Sequence, residues 1–337
     1  MFRYAADMFT YGAVMFTSDD ASTDAYGSLS VHRLMLSDKT RTTTYQRAIT
    51  RVVKPGDSVI DMGAGTGILS MFAAISGAKI VYAIERSPIS HFAKTLIAAN
   101  GLDDKITVIG SDVTQVTLPD KVDVIVSEWM GVFGNDEDML QPLLVARDRW
   151  LKPDGRLIPE RVRILLAPIW EPALHREIRF WRSRLFGVDL GPIAARTTNE
   201  VVGRHHSLSM RNVMAEPICL EDIDLHTFEA SKAERAMHAS CTFEASRAGK
   251  VNALAAWFEA DFGCGTMLTN GPSAPRTHWG VARFPLYQTV ALKHGSKISV
   301  QFACIPDSKG AKYCEWCVQV DDSPWEYHTS APMSGAG

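Results

Sequence analysis

The sequence has few cysteines and no long apolar segment. Its six cysteines are scattered among 337 residues, which is typical of reduced thiols and excludes a disulfide-rich secreted scaffold. No apolar run approaches the roughly 18 residues of a membrane span. The apolar N-terminal stretch has no small-residue cleavage site of the kind that follows a secretory signal. We therefore expect a cytoplasmic protein that has no membrane partner.

The chain also has little excess charge of either sign. Thirty-five basic and 38 acidic side chains leave a formal net charge of −3, which argues against a nucleic-acid partner held by a bulk positive field. Cys314 and Cys317 lie three positions apart in a predicted strand, so they should face opposite sides of it. Since no second pair completes a zinc site, we predict no metal.

The order of patterns along the chain predicts two domains and two terminal segments. Residues 1–50 are compatible with a helical N-terminal cap, and residues 51–158 alternate strand and helix, which favours a parallel α/β sheet. Residues 159–328 carry alternating segments separated by Gly, Pro and Ser, which indicate an antiparallel sandwich or barrel. Within them, residues 171–200 contain a helix with apolar residues at helical spacing. Residues 329–337 are small and polar and predict a disordered tail.

A glycine-rich turn separates the first predicted strand from the first predicted helix of this α/β domain. Gly63, Gly65 and Gly67 follow Asp61, and Glu85 closes the next predicted strand, where its carboxylate can accept hydrogen bonds from ribose hydroxyls. The G-x-G-x-G spacing suits a nucleoside ligand without a pyrophosphate, such as S-adenosylmethionine. A site for NAD and a tight turn beside a surface glutamate are the alternatives.

Three stretches resemble the protein arginine methyltransferase family: GTGILSMFAAISGA, SEWMG and ARDRWLKPDGRLIP. The resemblance extends from about Tyr26 to about Val320. It implies a Rossmann-like α/β methyltransferase domain at residues 51–158, followed by an antiparallel β-barrel domain that holds the substrate. It also implies an inserted helical dimerisation arm and a homodimer. The implied cofactor is S-adenosylmethionine, which leaves as S-adenosylhomocysteine.

The resemblance also implies which residues contact the cofactor. Arg41 would pair with the methionine carboxylate, Glu85 would hold the ribose, and Val113 would lie against the adenine. Thr114 stands where the family usually has a glutamate for the adenine amino group. The full set implied for the cofactor is Tyr26, His32, Arg41, Asp61, Gly63, Gly65, Gly67, Glu85 and Val113.

Two glutamates provide the charge that methyl transfer to a guanidinium requires. Glu128 ends a buried predicted strand, and Glu137 follows nine residues later across a loop that contains Gly131 and Gly134. A pair of carboxylates neutralises a guanidinium, fixes its plane and draws positive charge away from the attacking nitrogen. This spacing corresponds to the double-glutamate loop of the family.

A third motif of the family is Thr277-His278-Trp279. The resemblance implies that Trp279 packs on the guanidinium face and that His278 pairs with Asp38, offering a route for a proton. It also places Met35 at the substrate, where this residue limits space; the expected product is monomethylarginine.

Departures from the family pattern favour free L-arginine as the acceptor. Arg276 replaces an aromatic residue before the third motif, and the loop between the glutamates is polar at Asn135 and Asp136. An added arginine suits the carboxylate of a free amino acid. The alternatives are a peptidyl arginine, a different amine, and a catalytically silent protein that binds S-adenosylmethionine as a regulator.

Overall fold

The computed structural model describes residues 26–204, 208–307 and 312–331. The first 25 residues of the predicted N-terminal cap and the last six residues of the predicted tail lie outside these ranges. Among the described residues, no helix is both long enough and apolar enough to cross a membrane.

The first domain is built on a five-stranded parallel sheet with strand order β3-β2-β1-β4-β5. Its strands are β1 Ser58–Met62, β2 Ile80–Ile84, β3 Ile106–Ile109, β4 Val122–Ser127 and β5 Leu151–Ile158. Its helices are α1 Leu29–Ser37, α2 Lys39–Val52, α3 Ile68–Ile75, α4 Ser90–Ala99 and α5 Leu140–Trp150, with a 3₁₀ turn at Val113–Gln115. The predicted Rossmann-like sheet is therefore confirmed.

The order of these strands determines where a ligand can bind. The chain runs from β1 outward to β2 and β3, then returns to place β4 on the other side of β1. Ligands bind at such a switch point, in the crevice beyond the carboxyl ends of the strands. The glycine turn follows β1 and Glu128 follows β4, so the predicted cofactor loop and the first glutamate lie at the same edge.

The two N-terminal helices are capped by side chains and cover this edge of the sheet. Ser28 caps α1, and the carboxylate of Asp38 caps α2 by accepting a hydrogen bond from the Arg41 amide. The fully buried Tyr45 of α2 donates its hydroxyl to the carbonyl of Ser127, at the end of β4. This contact fixes α2 against the strand end that carries Glu128.

The second domain consists of two antiparallel sheets that form a barrel-like unit, as predicted. The larger sheet has the order β10-β6-β12-β14-β9 with β13 paired to β12, and the smaller has the order β11-β15-β16-β17. The strands are β6 Arg161–Ile169, β9 Val202–Arg204, β10 Ile218–Asp224, β11 Met237–Glu244, β12 Gly249–Asp261, β13 Met267–Thr269, β14 Val281–Leu292, β15 Lys297–Pro306, β16 Lys312–Val320 and β17 Glu326–Thr329. A short helix, α8 Ala230–Ala233, and a 3₁₀ turn, Met210–Asn212, lie in the connections; the segment between β6 and β9 is described below.

Aromatic side chains join the two sheets and tie them to the first domain. Phe284 of β14 contacts Phe302 of β15 and Trp316 of β16, with ring centroids 5.0 and 5.4 Å apart. Phe133, from the loop between the two glutamates, lies edge-on to Phe284 at 5.8 Å and is 1% exposed. The double-glutamate loop is therefore anchored in the core of the barrel.

The helical arm buries one set of apolar residues and exposes another. It contains α6 Pro172–Trp181, the hairpin strands β7 Arg184–Leu185 and β8 Val188–Asp189, α7 Gly191–Ala194 and a 3₁₀ turn Arg196–Thr198. Leu174 and Ile178 lie on the apolar stripe of its helix, which either a partner or the same chain could bury, and they are buried against strands of the same barrel. The apolar residues that the arm exposes are Phe180, Leu185, Phe186, Val188 and Ile193.

One prediction at a segment end is wrong. The tail predicted to be disordered from residue 329 begins with ordered residues. Thr329 pairs with Glu315 across β17 and β16, and the buried Ser330 exchanges hydrogen bonds with Cys314.

Candidate active site

The loop after β1 uses its glycines because its backbone needs their conformational freedom. Gly63, Gly65 and Gly67 all have positive φ angles, of 70°, 54° and 82°. A Cβ atom at Gly65 would lie 2.8 Å from Cε1 of His32, and one at Gly67 would lie 3.2 Å from Cδ1 of Ile97. The turn is therefore closely covered by its neighbours, and side chains are excluded from it.

Two carboxylates hold this loop. Glu85 accepts hydrogen bonds from the Gly65 amide at 2.9 Å and the Ser87 amide at 2.8 Å, one on each oxygen. A carboxylate has about four acceptor sites, so two remain for ligand hydroxyls. The fully buried Asp61 accepts from Ser70 of α3 at 2.6 Å, while its Oδ1 has no hydrogen-bond partner among the described residues. Burial raises the pKa of Asp61 to about 6, because the surroundings disfavour its charge.

The residues expected to cover the cofactor come to the same edge with different contacts from those predicted. His32 of α1 lies over the glycine turn, and its Nε2 is 2.8 Å from the carbonyl of Tyr26. The hydroxyl of Tyr26 donates to Glu137, which places this tyrosine at the second glutamate. Val113 is buried at the start of its 3₁₀ turn, and the hydroxyl of Thr114 donates to Asp112.

Glu128 is held by a cation from the same chain. Arg41, which is 6% exposed, donates to one oxygen of Glu128 from Nε at 3.0 Å and from Nη2 at 2.8 Å. The pairing of Arg41 with the methionine carboxylate stays a prediction; within the protein, Arg41 fixes the first glutamate. Burial has the largest single effect on the pKa of Arg41 and would lower it, but the Glu128 charge and hydrogen bond, with Tyr45 and Asp38, together outweigh burial and the pKa is raised.

Glu137 lies where negative charge accumulates. Burial, then the charges of Asp136 and Glu128, raise its pKa well above the usual range, although the Tyr26 hydrogen bond, 2.9 Å long, and Lys312 act in the opposite direction. A substrate cation between the two glutamates supplies the opposite charge and favours their ionised form. The pair is therefore suited to a cationic ligand such as a guanidinium.

The polar residues between the glutamates serve the loop itself. Asp136 accepts hydrogen bonds from the amides of Val132 and Phe133 at 2.8 and 3.0 Å. A Cβ atom at Gly131 would lie 2.4 Å from the Asp136 carboxyl carbon, so this position needs glycine. Asn135 accepts two hydrogen bonds from Lys312. The polarity of Asn135 and Asp136, which favours free arginine in the sequence, serves contacts within the protein.

Asp38 and His278 are brought together as the resemblance implied. Nδ1 of His278 lies 2.9 Å from Oδ2 of Asp38, and the His278 amide donates to the same oxygen at 2.8 Å. Because the amide of Arg41 donates to the other oxygen at 2.9 Å, one carboxylate links α2 to the barrel loop and to the residue that holds Glu128.

Trp279 occupies a different environment from the one predicted. Its side chain is 4% exposed and its Nε1 donates to the carbonyl of Met130 at 2.8 Å. Its ring lies beside that of His278 and edge-on to Phe258, with centroids 4.1 and 5.0 Å away. The expected stacking of substrate on this ring therefore lacks an exposed face, and Trp279 instead fixes the segment after Glu128.

The two remaining substrate candidates lie at the margin of the site. Met35 is half-buried near the end of α1, and its carbonyl accepts a hydrogen bond from the Asp38 amide. Arg276 is exposed in the loop before Thr277.

Two residues of the site were missed by sequence reasoning. Asn270 donates to the carbonyls of Val132 and Gly280 at 2.6 and 2.7 Å, which joins the double-glutamate loop to the loop of His278. Lys312 contacts Asn135 from β16. Val132 lies 138 positions from Asn270, and Asn135 lies 177 positions from Lys312. No local sequence pattern could therefore have found these two contacts.

Two protein families match consecutive parts of the chain. Residues 26–148 match the TRM5/TYW2 methyltransferase domain, and residues 160–320 match the arginine methyltransferase oligomerization subdomain. The division between them falls where the parallel sheet ends and the antiparallel sheets begin.

Relatives of known function cover nearly the whole chain. Protein arginine N-methyltransferase 6 of Danio rerio is 31% identical over 315 residues, 90% of this chain and 89% of the relative. Protein arginine N-methyltransferase 1 of Schizosaccharomyces pombe is 36% identical over 297 residues, 86% of each chain.

Solved structures show the same arrangement of domains. The Trypanosoma brucei PRMT1 enzyme–prozyme heterotetrameric complex with AdoHcy has a TM-score of 0.81 and 26% identity, covering 91% of this chain and 100% of that one. Arabidopsis thaliana protein arginine methyltransferase 10 has a TM-score of 0.79 and 26% identity, covering 92% and 100%. With the glycine loop, the paired glutamates and the Asp38–His278 contact already in place, these similarities show that the chain belongs to the protein arginine methyltransferase family and is an S-adenosylmethionine-dependent arginine N-methyltransferase.

Proposed function

We propose that this enzyme transfers a methyl group to the guanidino nitrogen of an arginine within a protein. The observation that carries the proposal is the pair Glu128 and Glu137, two carboxylates at one edge of the sheet that suit a guanidinium. The relatives named as protein arginine N-methyltransferases support a protein substrate.

The described residues fit the cofactor of the family. The positive-φ glycine turn lets a ligand approach the backbone, and Glu85 retains acceptor sites for ribose hydroxyls. Oδ1 of Asp61 is a buried acceptor that has no partner within the part of the chain that the structure describes. When bound, S-adenosylmethionine supplies an electrophilic methyl group on a sulfonium. We infer that Glu85 and the glycine turn hold it, with Val113 beside them.

The chain's own residues then orient the acceptor and handle its charge. Glu128 and Glu137 accept hydrogen bonds from the guanidinium and place one nitrogen for attack. Deprotonation of a free guanidinium beforehand is excluded in practice by a pKa above about 12. We infer that His278, whose Nδ1 lies 2.9 Å from Asp38, accepts the proton that the methylated nitrogen loses.

Free arginine is the competing acceptor, and its structural support is weak. The polar loop residues that favoured it, Asn135 and Asp136, are engaged within the protein, and Arg276, which also favoured it, is exposed. The test is a competition assay with labelled S-adenosylmethionine, an arginine-containing peptide and free L-arginine at equal concentrations. We expect the peptide to be methylated with the higher kcat/KM; label mainly in free arginine would contradict the proposal.

We also infer that two copies of the chain assemble through the arm. Support comes from the match to an oligomerization subdomain and from apolar side chains that the arm exposes, including Phe186 at 96% and Val188 at 61%. Exposed apolar clusters of this kind mark association surfaces. Light scattering at micromolar concentration should give the mass of a dimer, and a Phe186→Ser variant should weaken it. A monomeric mass for the parent would refute the dimer.

A further inference from the structure

Lys312 is a buried cation that contacts the loop between the two glutamates. It opens β16 and is 6% exposed, and its Nζ donates to the main-chain oxygen of Asn135 at 2.7 Å and to the side-chain oxygen at 3.0 Å. Lysine is rarely buried unless its ammonium is partnered. Both bonds end on the residue two positions before Glu137, so this lysine acts directly on the conformation of the loop.

Three carboxyl groups face this cation. Burial raises the pKa of Asp136, Glu137 and Glu221, and Lys312 acts against burial at each of them. The first two belong to the double-glutamate loop and the third to β10. A cluster of buried carboxyl groups is costly unless a positive charge offsets it. Lys312 supplies such a charge from within the barrel.

Asn135 also acts on one of these carboxyl groups. Its side chain helps to lower the pKa of Glu221 against the effect of burial, and Oε2 of Glu221 is buried with no hydrogen-bond partner among the described residues. Glu221 belongs to β10 and Lys312 to β16, which lie in different sheets, so Asn135 is near both sheets of the barrel. The loop is thus fixed at Asn135 by polar bonds, and at Phe133 by packing in the core.

We propose that Lys312 is a positioning residue for methyl transfer: through Asn135 it fixes the loop that carries Glu137, and its charge offsets the negative charge gathered around the catalytic pair. The proposal rests on the assignment of Glu137 to the substrate guanidinium. It also gives a role to the polar residue at position 135, which a bulky apolar side chain could not perform.

The test compares Lys312→Met with Lys312→Arg, and uses Lys297→Met as a matched control. Lys297 also lies on a barrel strand, but it is exposed and pairs with Glu244. For each protein we would measure kcat, KM for S-adenosylmethionine and for an arginine-containing peptide, thermal stability, and kcat against pH.

We expect Lys312→Met to lower kcat roughly 10-fold, since small displacements of a catalytic group cost this much or more. Its KM for S-adenosylmethionine should stay within about 2-fold of the parent, because the glycine turn is unaltered. Glu137 faces Tyr26, Glu128, Asp136 and Lys312, so removing the lysine raises the pKa of Glu137 further and moves the acidic limb of kcat to higher pH. Lys312→Arg should recover part of both effects, and Lys297→Met should match the parent.

The proposal is overturned if folded Lys312→Met keeps the parental kcat and pH profile, or if its activity falls only in proportion to its folded fraction. If that variant does not fold, Asn135→Ala decides, since it removes the side-chain bond while the lysine charge and its main-chain bond remain. We then expect a lower kcat with the parental pH profile, and an unchanged kcat would refute the proposal. Absence of methyl transfer by the parent would count against the proposed function, whereas the ratio of variant to parent reports on Lys312 alone.

Discussion

Arg41 of the second helix donates two hydrogen bonds to a single oxygen of Glu128, at 3.0 and 2.8 Å. The first glutamate of the proposed catalytic pair is therefore oriented by a cation of the same chain, and we propose that its other oxygen binds the substrate. Glu137 is held differently, by the Tyr26 hydroxyl and by its loop. The two carboxylates therefore differ: Glu128 is held by the charge of Arg41, whereas Glu137 has a raised pKa.

The Tyr26 hydroxyl should tune the pH dependence of catalysis. Its hydrogen bond opposes the rise in the pKa of Glu137, so Tyr26→Phe should raise that pKa further. Because Glu137 acts as a carboxylate, activity is lost as pH falls through its pKa, and the acidic limb of kcat should move to higher pH. The measurement is kcat against pH with a peptide substrate. If the acidic limb of the kcat profile stays at the parental pH, the Tyr26 hydroxyl does not affect the pKa of Glu137.

The Asp38 carboxylate should contribute stability that depends on pH. Burial raises its pKa, but hydrogen bonds from the His278 side chain and from the Arg41 and His278 amides outweigh burial, so the pKa is lowered. The stabilisation by ionised Asp38 is complete above the pKa of this residue in the unfolded chain, about 3.9. It is lost as the pH falls through the lower pKa of Asp38 in the folded protein. Asp38→Asn should reduce the free energy of unfolding by about 1–3 kcal/mol at pH 7.

Denaturant unfolding of both proteins between pH 7 and pH 3 measures this difference. The difference in the free energy of unfolding between parent and variant should become smaller at the acidic end, where Asp38 of the parent becomes protonated. A difference that does not change with pH would mean that the charge of the Asp38 carboxylate does not stabilise the fold.

Glu85 should govern the affinity for the cofactor. Its carboxylate accepts a hydrogen bond from the Gly65 amide and retains acceptor sites for ribose hydroxyls. Glu85→Ala therefore removes a predicted ligand contact and a hydrogen bond that supports the glycine turn. We expect calorimetry to show S-adenosylmethionine binding weakened roughly 10-fold or more, since hydrogen bonds to a charged group contribute about 1.5–3 kcal/mol. Unchanged affinity would remove Glu85 from the cofactor site.

Sequence patterns predicted the parts of the site that depend on strand ends and motifs. Glycines after β1 and a glutamate after β4 must meet at one edge of a parallel sheet, so the positions of Gly65 and Glu128 follow from periodicity. The Asp38–His278 contact came from family resemblance, because nothing local links two residues 240 positions apart.

The features that sequence patterns did not determine have a common physical origin in tertiary context. Leu174 and Ile178 form an apolar stripe that a partner or the same chain could bury, and only the fold shows that the barrel covers it. The sequence does not show what Asp136 contacts, and in the fold its carboxylate accepts hydrogen bonds from two amides of its own loop. Lys312 was missed because its partner Asn135 lies 177 positions away in sequence.

The most direct test of the account is methyl transfer by Glu137→Gln. This change removes the charge and keeps the shape, so the guanidinium loses one of its two counter-charges while the glycine turn is untouched. With an arginine-containing peptide, we predict single-turnover transfer slowed by roughly 10²-fold or more. Affinity for S-adenosylmethionine, measured on the same sample, should stay near that of the parent. Transfer within a few-fold of the parental rate would contradict the central role of the paired carboxylates.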